Sequence, residues 1–224
     1  FLPGQPLENN DQTSGGLIVD YAIDAGATKA NVGGQVELMS GALNEFQDGP
    51  TVGSAFLVAT RPAGLHYDYE VDSYLVAGFY SLQHRLSDGL RVLQSLRLEY
   101  LDYDYTNNHI VGNTKDDGTP CGFGGCLYSR PESRTDTFTN VGARLGVEKD
   151  LSAGLLYASV SSGFRPPQVT ELYRLRGGQT VADLDSERLT AFEAGFKNDA
   201  VAVAAFVERT RDFLFRDADA FNVS

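Results

Sequence analysis

The sequence contains no tryptophan, no apolar run long enough to form a transmembrane helix and no excess of basic residues. Because a membrane-spanning helix needs about 18 or more consecutive apolar residues, a helical crossing is excluded. The chain has 18 Lys and Arg against 30 Asp and Glu, a formal net charge of −12. This balance argues against a nucleic-acid partner, which requires a basic surface. The lack of a long apolar run and the acidic balance do not exclude a transmembrane β-barrel, because its alternating strands have the mean hydropathy of a soluble protein.

Cysteine is also scarce, with Cys121 and Cys126 in the segment CGFGGC as its two occurrences. Zinc sites combine such a pair with further Cys or His ligands, and the sequence has no second cluster of this kind. A disulfide that closes a small loop is therefore favoured, and it would place this loop in an oxidising compartment. Two free thiols are the alternative.

The sequence offers little that suggests catalysis. The three histidines are spread over strand ends and loops: His66, His84 and His109. No serine has the Gly-x-Ser-x-Gly context of a nucleophile. The acid pairs at 102/104 and 116/117 offer oxygen ligands that suit calcium, but solvated loop charges are the simpler interpretation. We predict neither an enzyme nor a resident cofactor or metal.

Alternation of apolar and polar residues is the dominant pattern from about residue 70 to residue 210. It predicts six strands of about ten residues, with one or two more, and this length fits a tilted crossing of a bilayer. One phase of each segment is apolar, and the opposite phase carries the charges. The charged set is Arg97, Glu99, Arg144, Glu148, Glu193 and Lys197.

The connections between these segments alternate in length. Short turns are predicted near 87–89, 150–153 and 198–199, and long polar loops over about 104–135 and 165–187. A soluble sandwich has no reason to keep one end of its sheet trimmed, whereas transmembrane barrels have short periplasmic turns and long extracellular loops. The pattern therefore favours a barrel.

The first 70 residues are harder to interpret. Residues 17–23 alternate, and residues 35–39 either continue that strand or form a second one. The apolar run at 55–59 lies in a loop, either as a short strand or packed beneath the loop.

Tyrosines lie near the predicted strand ends, at Tyr67, Tyr69, Tyr100, Tyr103 and Tyr105. We predict that they form an aromatic girdle at the level of the lipid headgroups. Ordinary strand-rich composition is the alternative, because tyrosine favours strands.

The segment from residue 155 to residue 215 resembles the barrel of TonB-dependent outer-membrane receptors. The matching elements are Gly-Phe-Arg-Pro-Pro at 163–167, Glu-Leu-Tyr at 171–173 and Glu-Ala-Gly-Phe-Lys at 193–197. The family's Leu-x-Pro-Glu is Leu-Asp-Ser-Glu at 184–187, so Ser186 departs from the usual proline. An earlier strand-turn-strand unit extends the resemblance to about residues 70–215.

The resemblance implies an all-β fold, an antiparallel transmembrane β-barrel. This chain would supply about 6–8 strands of a larger plugged barrel of about 22. We expect residues 1–224 to be one partial barrel domain that lacks the N-terminal plug, the TonB box and the C-terminal strands. Residues 221–224 do not resemble a closing strand.

The resemblance also implies a function: uptake of a scarce nutrient across the outer membrane of a Gram-negative cell. The default ligand is a ferric siderophore, and the family also handles cobalamin, haem and oligosaccharides. The expected partners are outer-membrane lipid and, through the missing plug, the TonB–ExbB–ExbD complex. The alternatives are a non-transporting barrel or adhesin with ligand-binding loops, and a soluble β-sandwich binding protein.

Candidate contact residues follow from the alternation. The six charged side chains point away from lipid, where a cation would cost about 2–4 kcal/mol near the midplane. We expect them to line the lumen and dock the plug, with direct substrate contact as the alternative. Arg165 precedes Pro166 and Pro167, which end strand pairing, so it belongs to the rim. There it either holds the loop by hydrogen bonds or contacts an anionic ligand.

Overall fold

The computed structural model describes residues 6–216 and 222–223. Its main element is one eight-stranded antiparallel sheet in the order β1-β2-β3-β4-β6-β7-β9-β10, with β1 and β10 as its edges. The strands are β1 (Leu7–Ala25), β2 (Thr28–Gln47), β3 (Gly64–Ser87), β4 (Leu90–Asn107), β5 (Tyr128–Ser129), β6 (Arg134–Leu151), β7 (Gly154–Arg165), β8 (Leu175–Arg176), β9 (Glu187–Lys197), β10 (Ala202–Arg211), β11 (Phe215–Arg216) and β12 (Asn222–Val223). The helices are α1 (Ala55–Thr60) and α2 (Val169–Tyr173). The predicted all-β, antiparallel partial barrel is confirmed.

The strand count lies at the upper end of the prediction, because residues 17–23 and 35–39 belong to separate strands, β1 and β2. Residues 221 and 224 lie outside the described residues, so the expectation for the last four residues is only partly covered. Asn222 and Val223 pair with β11 rather than with the main sheet. Among the described residues, no helix is long and apolar enough to cross a membrane.

The predicted strand length of about ten residues was wrong for five of the eight strands of the main sheet. Strands β7, β9 and β10 have 12, 11 and 10 residues, but the other five strands of the main sheet have 18 to 24. At about 3.4 Å per residue, the 24 residues of β3 extend roughly 80 Å. Alternation revealed only the part of each long strand whose outer face is apolar. Beyond that part the outer face becomes polar, and in β2, β3, β4 and β6 the apolar residues lie on the inner face instead.

The asymmetry of the connections agrees with the prediction. Residues 26–27, 88–89, 152–153 and 198–201 form short turns at one end of the sheet. Gly89 has a φ of +69°, which residues with a side chain rarely adopt, so the turn between β3 and β4 depends on it. Long connections at 48–63, 108–133 and 166–186 lie at the opposite end.

Strand register divides the main sheet into two faces. On β4, Leu96 lies opposite Tyr80 and Ala143, whereas Glu99 lies opposite Ala77 and Asn140. We call the face of Leu96 the outer face and that of Glu99 the inner face. The outer face carries a belt of exposed apolar side chains near the short turns, which includes Val32, Val36, Tyr80, Leu98, Val141, Leu145, Val160, Phe192 and Val203.

Beyond this belt the outer face becomes mainly polar, as at Asp72, Asp104 and Thr137. We call this part, residues 40–47, 64–73, 101–107 and 134–138, the upper sheet. The three long connections cover its inner face, and together they form the loop layer. The principal core therefore lies between the upper sheet and the loop layer and not inside the belt.

Short elements stiffen the loop layer. The apolar run at 55–59 is helix α1, which starts where the Ser54 hydroxyl accepts a hydrogen bond from the Leu57 amide. Strands β5 and β8 pair and join the second long connection to the third. Cys121 and Cys126 form a disulfide with a Cα–Cα distance of 5.0 Å. The bridged segment is attached to α1, because the Gly122 amide donates to the carbonyl of Ala59.

The predicted tyrosine girdle was wrong for most of its members. Tyr67, Tyr69 and Tyr105 are buried on the inner face of the upper sheet, and Tyr103 is half-buried on the same face. The ring of Tyr105 stacks on that of Tyr173 in α2 with a centroid separation of 4.2 Å. Of the five candidates, Tyr100 alone has an exposed ring on the outer face. The other four have the strand phase of the inner face.

Candidate functional site

The predicted charges lie on the inner face, but they do not form one cluster. On β4, Arg97 and Glu99 form an ion pair with a 2.6 Å N–O distance, and Arg97 also donates to Gln35 of β2 at 2.9 Å. This contact bridges across β3. Among the described residues, the pair of Arg97 and Glu99 is the one ion pair that joins two of the six predicted charged residues.

The other four charged residues have different neighbours. Arg144 donates to the hydroxyl of Ser159 at 3.3 Å, and Glu148 accepts from Arg91 at 3.1 Å. Arg91, which the prediction missed, also contacts Asp150. On β9, Glu193 accepts a 2.7 Å hydrogen bond from the Tyr157 hydroxyl. Lys197 is paired across the sheet with Leu155 and Ala202, next to the short turn. Contact of these six residues with a ligand or a plug stays a prediction.

Arg165 lies at the end of β7 and is held by two carboxylates. Its Nε donates to Glu187 at 2.8 Å, and its two terminal nitrogens donate to both oxygens of Glu171 at 3.1 Å. Glu171 also accepts from the amide of Gln168 and completes the capping box at the start of α2. Arg165 therefore fastens α2 to the ends of β7 and β9.

A buried charge chain that the sequence did not reveal connects the edge of the sheet to α2. Glu45 is 2% exposed and contacts both His66 and Arg174, and Arg174 also pairs with Glu8 at 3.0 Å. The two nitrogens of His66 face Glu45 and the carbonyl of Pro62. Burial alone would raise the pKa of Glu45, but the hydrogen bond from His66 and the charge of Arg174 outweigh it and hold the pKa below its usual value.

Among residues 6–216, Arg130 has the largest fully buried side chain, with 1% exposure. Its guanidinium donates to the carbonyls of Ile110, His66 and Thr114 and to the Thr114 hydroxyl. It also lies over the ring of Tyr128 at 5.4 Å. An arginine keeps its charge, so all of its buried donors need acceptors. Two of the residues that supply them, Ile110 and Thr114, belong to the second long connection, and Arg130 therefore fixes the path of that connection.

A cleft of about 760 Å³ opens between the loop layer and the inner face of the upper sheet. All three long connections contribute to its lining, through Arg61 from the first, Tyr128 from the second, and Arg174 and Arg176 from the third. Its size fits the range of about 300–1,000 Å³ that is typical of small-molecule sites. The cleft is the candidate binding site.

The acidic loop pairs do not converge on a metal site. Asp116 contacts His109 at 3.2 Å, and Asp117 accepts hydrogen bonds from the amide and hydroxyl of Thr119. Among the described residues, no three His, Cys, Asp or Glu side chains are grouped to hold a metal ion.

Comparison with known proteins identifies the fold family. The profile of the family described as TonB dependent receptor-like, beta-barrel matches residues 3–224. The chain belongs to this family of TonB-dependent receptor barrels. No curated protein sequence matches the chain significantly.

Three solved structures show the same fold at low sequence identity. The copper transporter OprC matches with a TM-score of 0.66 and 15% identity, covering 96% of this chain and 33% of its own. The ferric yersiniabactin uptake receptor FyuA from Yersinia pestis matches with a TM-score of 0.59 and 15% identity, covering 96% and 31%. The ferric citrate transporter FecA matches with a TM-score of 0.55 and 13% identity, covering 91% and 28%. The chain thus spans about a third of the length of these structures.

The tyrosine core of this receptor barrel predicts a transition at alkaline pH. Burial raises the pKa of Tyr67, Tyr105 and Tyr173 above the usual value, and that of Tyr69 to about 12. Unfolded tyrosines ionise near pH 10, so the stability from these groups is complete below about pH 10 and declines as the pH rises toward the folded values. Near-UV circular dichroism of the full receptor should therefore show loss of loop-layer packing above about pH 10.

The matched variants are Tyr69→Phe, which removes one ionisable group from the core, and Tyr80→Phe on the outer face. Tyr69→Phe should move the alkaline transition to higher pH, and Tyr80→Phe should leave it unchanged. Equal transitions in both variants would show that the buried tyrosines do not control this pH dependence.

Replacing Arg165 should loosen the third long connection of the receptor. Arg165→Gln removes the ion pairs to Glu171 and Glu187, and because Arg165 is partly exposed we expect a loss of only about 1 kcal/mol. Protease cleavage within 166–186 should then be roughly fivefold faster. Arg188→Gln, at the same end but on the outer face, is the control. Equal cleavage rates in both variants would contradict the anchoring role.

Proposed function

We propose that the protein containing this chain is an outer-membrane receptor that actively imports a scarce nutrient, most simply a ferric siderophore, with energy delivered through TonB. The family match over residues 3–224 carries this proposal. In it, the outer-face belt contacts lipid, and the upper sheet and loop layer extend into the extracellular space. A plug and further strands from the rest of the protein complete the barrel and link it to the TonB–ExbB–ExbD complex.

The faces of the sheet support a membrane location. Leu145 and Val160 are paired neighbours on the outer face and are 52% and 45% exposed. Such a row of exposed apolar side chains is costly in water and favourable against hydrocarbon. On the opposite face, Arg97, Glu99 and Arg144 keep their charges away from lipid, which suits a wet barrel interior.

The loop layer supports a binding role. A simple turn would be enough to join two strands, yet the three long connections form a folded unit with a disulfide and two helices, and Arg174 ties this unit to Glu8 and Glu45 of the sheet. Binding residues are commonly placed on loops that a rigid scaffold holds. Two of the similar structures, the ferric yersiniabactin receptor FyuA and the ferric citrate transporter FecA, support a ferric chelate as cargo, whereas OprC is a copper transporter. Transport of this kind needs no covalent chemistry.

Uptake by whole cells tests this proposal. We expect deletion of the gene to abolish accumulation of radiolabelled iron from at least one ferric siderophore, and deletion of TonB in the otherwise intact strain to have the same effect. Binding to the cell surface should survive the TonB deletion, since TonB supplies energy and not affinity. Unchanged uptake of every chelate and of copper in the deletion strain would instead favour a non-transporting barrel or adhesin.

A further inference from the structure

Three exposed arginines lie next to one another on the outer face of β9 and β10, at the ends of these strands that are far from their short turn. Arg188 lies directly opposite Arg211, and Arg209 lies opposite Thr190. These positions have the strand phase of Phe192, which belongs to the belt. We call the three residues the arginine cluster.

No carboxylate neutralises the arginine cluster. Among the described residues, none of its members forms an ion pair or a side-chain hydrogen bond. The acidic residues nearest in sequence belong elsewhere. Glu187 binds Arg165 on the inner face, and Glu208 has the phase of the inner face. Asp212 lies beyond the end of β10. Like charges that lie directly opposite each other on two strands destabilise a sheet, so the cluster needs an anion that the described residues do not supply.

The height of the cluster on the sheet indicates where this anion comes from. Strands β9 and β10 have 11 and 10 residues, the length of one tilted crossing of a bilayer. Arg188 is the second residue of β9, and the other two arginines are among the last three residues of β10. Below them, Phe192 and Val207 are paired and are 54% and 72% exposed. In the proposed orientation, the cluster therefore lies at the level of the headgroups of the outer leaflet.

The geometry of the cluster suits a phosphate group. A guanidinium is a planar fork that binds two oxygens of one phosphate at a time. Side chains directly opposite on neighbouring strands have Cβ atoms about 4.5–5.5 Å apart, so Arg188 and Arg211 can reach the same group. Arg209 is two residues from Arg211, roughly 7 Å along the strand, and can hold a second phosphate or another oxygen of the first.

The rest of the outer face above the belt has the opposite charge. Glu70 and Asp72 of β3 and Asp104 of β4 have the outer phase, and Asp72 lies directly opposite Asp104. No Lys or Arg of β1, β2, β3, β4 or β6 occupies this part of the face. An anionic headgroup is repelled from β3 and β4 and attracted to β9 and β10, so the charge pattern directs it to one side of the sheet.

We infer that the arginine cluster binds the phosphate of an outer-leaflet lipid, whose acyl chains lie against the belt on β9 and β10. A lipid combines the two features that this surface requires, an anion at the level of the cluster and hydrocarbon directly below it. The inference rests on the proposed function, because it uses the membrane location, and it adds a specific lipid site that this location alone does not require.

The test uses the purified full-length receptor in micelles of a neutral detergent and the fluorescence anisotropy of a labelled diphosphoryl lipid A, a glycolipid with two phosphates. Unlabelled competitors are monophosphoryl lipid A with the same acyl chains, inorganic phosphate and soluble polyglutamate. We expect the diphosphoryl lipid to bind most tightly, the monophosphoryl lipid to bind more weakly, and millimolar inorganic phosphate to displace neither. Added salt should weaken binding, because the contacts are exposed.

Substitutions locate the site. Arg188→Gln, Arg209→Gln and Arg211→Gln should each weaken binding of the diphosphoryl lipid about 2- to 5-fold, the value of an exposed charge contact, and the triple variant at least about tenfold. Lys149→Gln is the matched control, since this residue has the same strand phase but lies next to a short turn, where it donates to the carbonyl of Asp88. It should leave the affinity unchanged.

Thermal stability without lipid distinguishes a lipid site from a structural contact. Arg188→Gln removes one of two like charges that face each other, so the variant should be as stable as the unmodified receptor or more stable. Diphosphoryl lipid A should then raise the stability of the unmodified receptor more than that of the variant. A less stable variant in the absence of lipid would mean that a carboxylate from a neighbouring strand of the full barrel already pairs with the cluster, and it would overturn the inference.

The remaining outcomes separate this inference from the proposed function. If the triple variant binds the lipid as tightly as the unmodified receptor, or if inorganic phosphate displaces it, the lipid site is wrong. Stronger competition by polyglutamate than by lipid would assign the cluster to an acidic protein partner and would also overturn the inference. In each of these cases a folded receptor that still imports its ligand leaves the transport function in place. A receptor that stays soluble and folded without detergent would contradict the membrane location and the lipid site together.

Discussion

Replacing Arg130 by alanine is expected to unfold the second long connection while the main sheet stays intact. The substitution removes the donor from the buried carbonyl of His66 and from the partly buried carbonyls of Ile110 and Thr114. Because hydrogen bonds to a charged group are among the strongest in proteins, and loss of one partner leaves the others unsatisfied, we expect a cost of about 3–5 kcal/mol. This exceeds the usual effect of a single substitution.

Limited proteolysis of the full receptor is the direct measurement. In Arg130→Ala, cleavage within 108–133 should become fast, whereas the barrel should keep its resistance to denaturation by detergent at room temperature. Arg130→Lys should recover little, because a single ammonium cannot reach acceptors arranged around a planar guanidinium. Lys115→Ala, in the same connection, controls for loss of charge. A protected loop in Arg130→Ala would show that the pairing of β5 with β8 is enough to order it.

The contrast between Arg130 and Arg97 shows what alternation can predict. Arg97 lies within a strand that has a clear period of two, so its face could be assigned from its neighbours alone. Arg130 lies in a connection without periodicity, and three of its four acceptors are main-chain carbonyls, one of them 64 residues away. Any residue type can provide a main-chain acceptor, so no sequence pattern marks this contact.

The tyrosines illustrate a different limitation, one of interpretation. Tyr103 and Tyr105 share the phase of Arg97 and Glu99, so their inward direction was available in the sequence. The girdle prediction assumed that the strands end at the membrane surface. Because β4 continues to Asn107, these rings lie above the belt and build a core with the loop layer.

The candidate cleft was the least predictable feature. Arg61, Tyr128 and Arg176 come from three connections, and their proximity depends on the pairing of β5 with β8 and on the contact of α1 with the disulfide segment. Helix α1 has six residues, too few for a helical period to stand out in the sequence. Arg165, by contrast, could be placed at the rim because the prolines that follow it end the strand pairing.

The prediction with the widest consequence concerns the two faces of β7. Val160→Arg places a cation in the middle of the outer-face belt, where its neighbours across the sheet are Leu145 and Phe192. If this face contacts lipid, the cation should cost about 2–4 kcal/mol near the midplane. We expect a marked fall in the fraction of full receptor that reaches the outer membrane in a folded, heat-modifiable form, measured by gel mobility without boiling.

Ser159→Arg is the matched control, one residue away on the inner face. Its neighbour across the sheet is Glu193 and its hydroxyl contacts Arg144, so an added cation there faces water, one carboxylate and one cation instead of hydrocarbon. The yield of folded receptor should therefore remain within about twofold of the unmodified protein. The two variants have the same charge, size and strand, so any difference between them measures the environment of each face. Equal yields, or a lower yield for Ser159→Arg, would mean that the outer face meets water, and the proposed membrane location would then be wrong together with the transport function that depends on it.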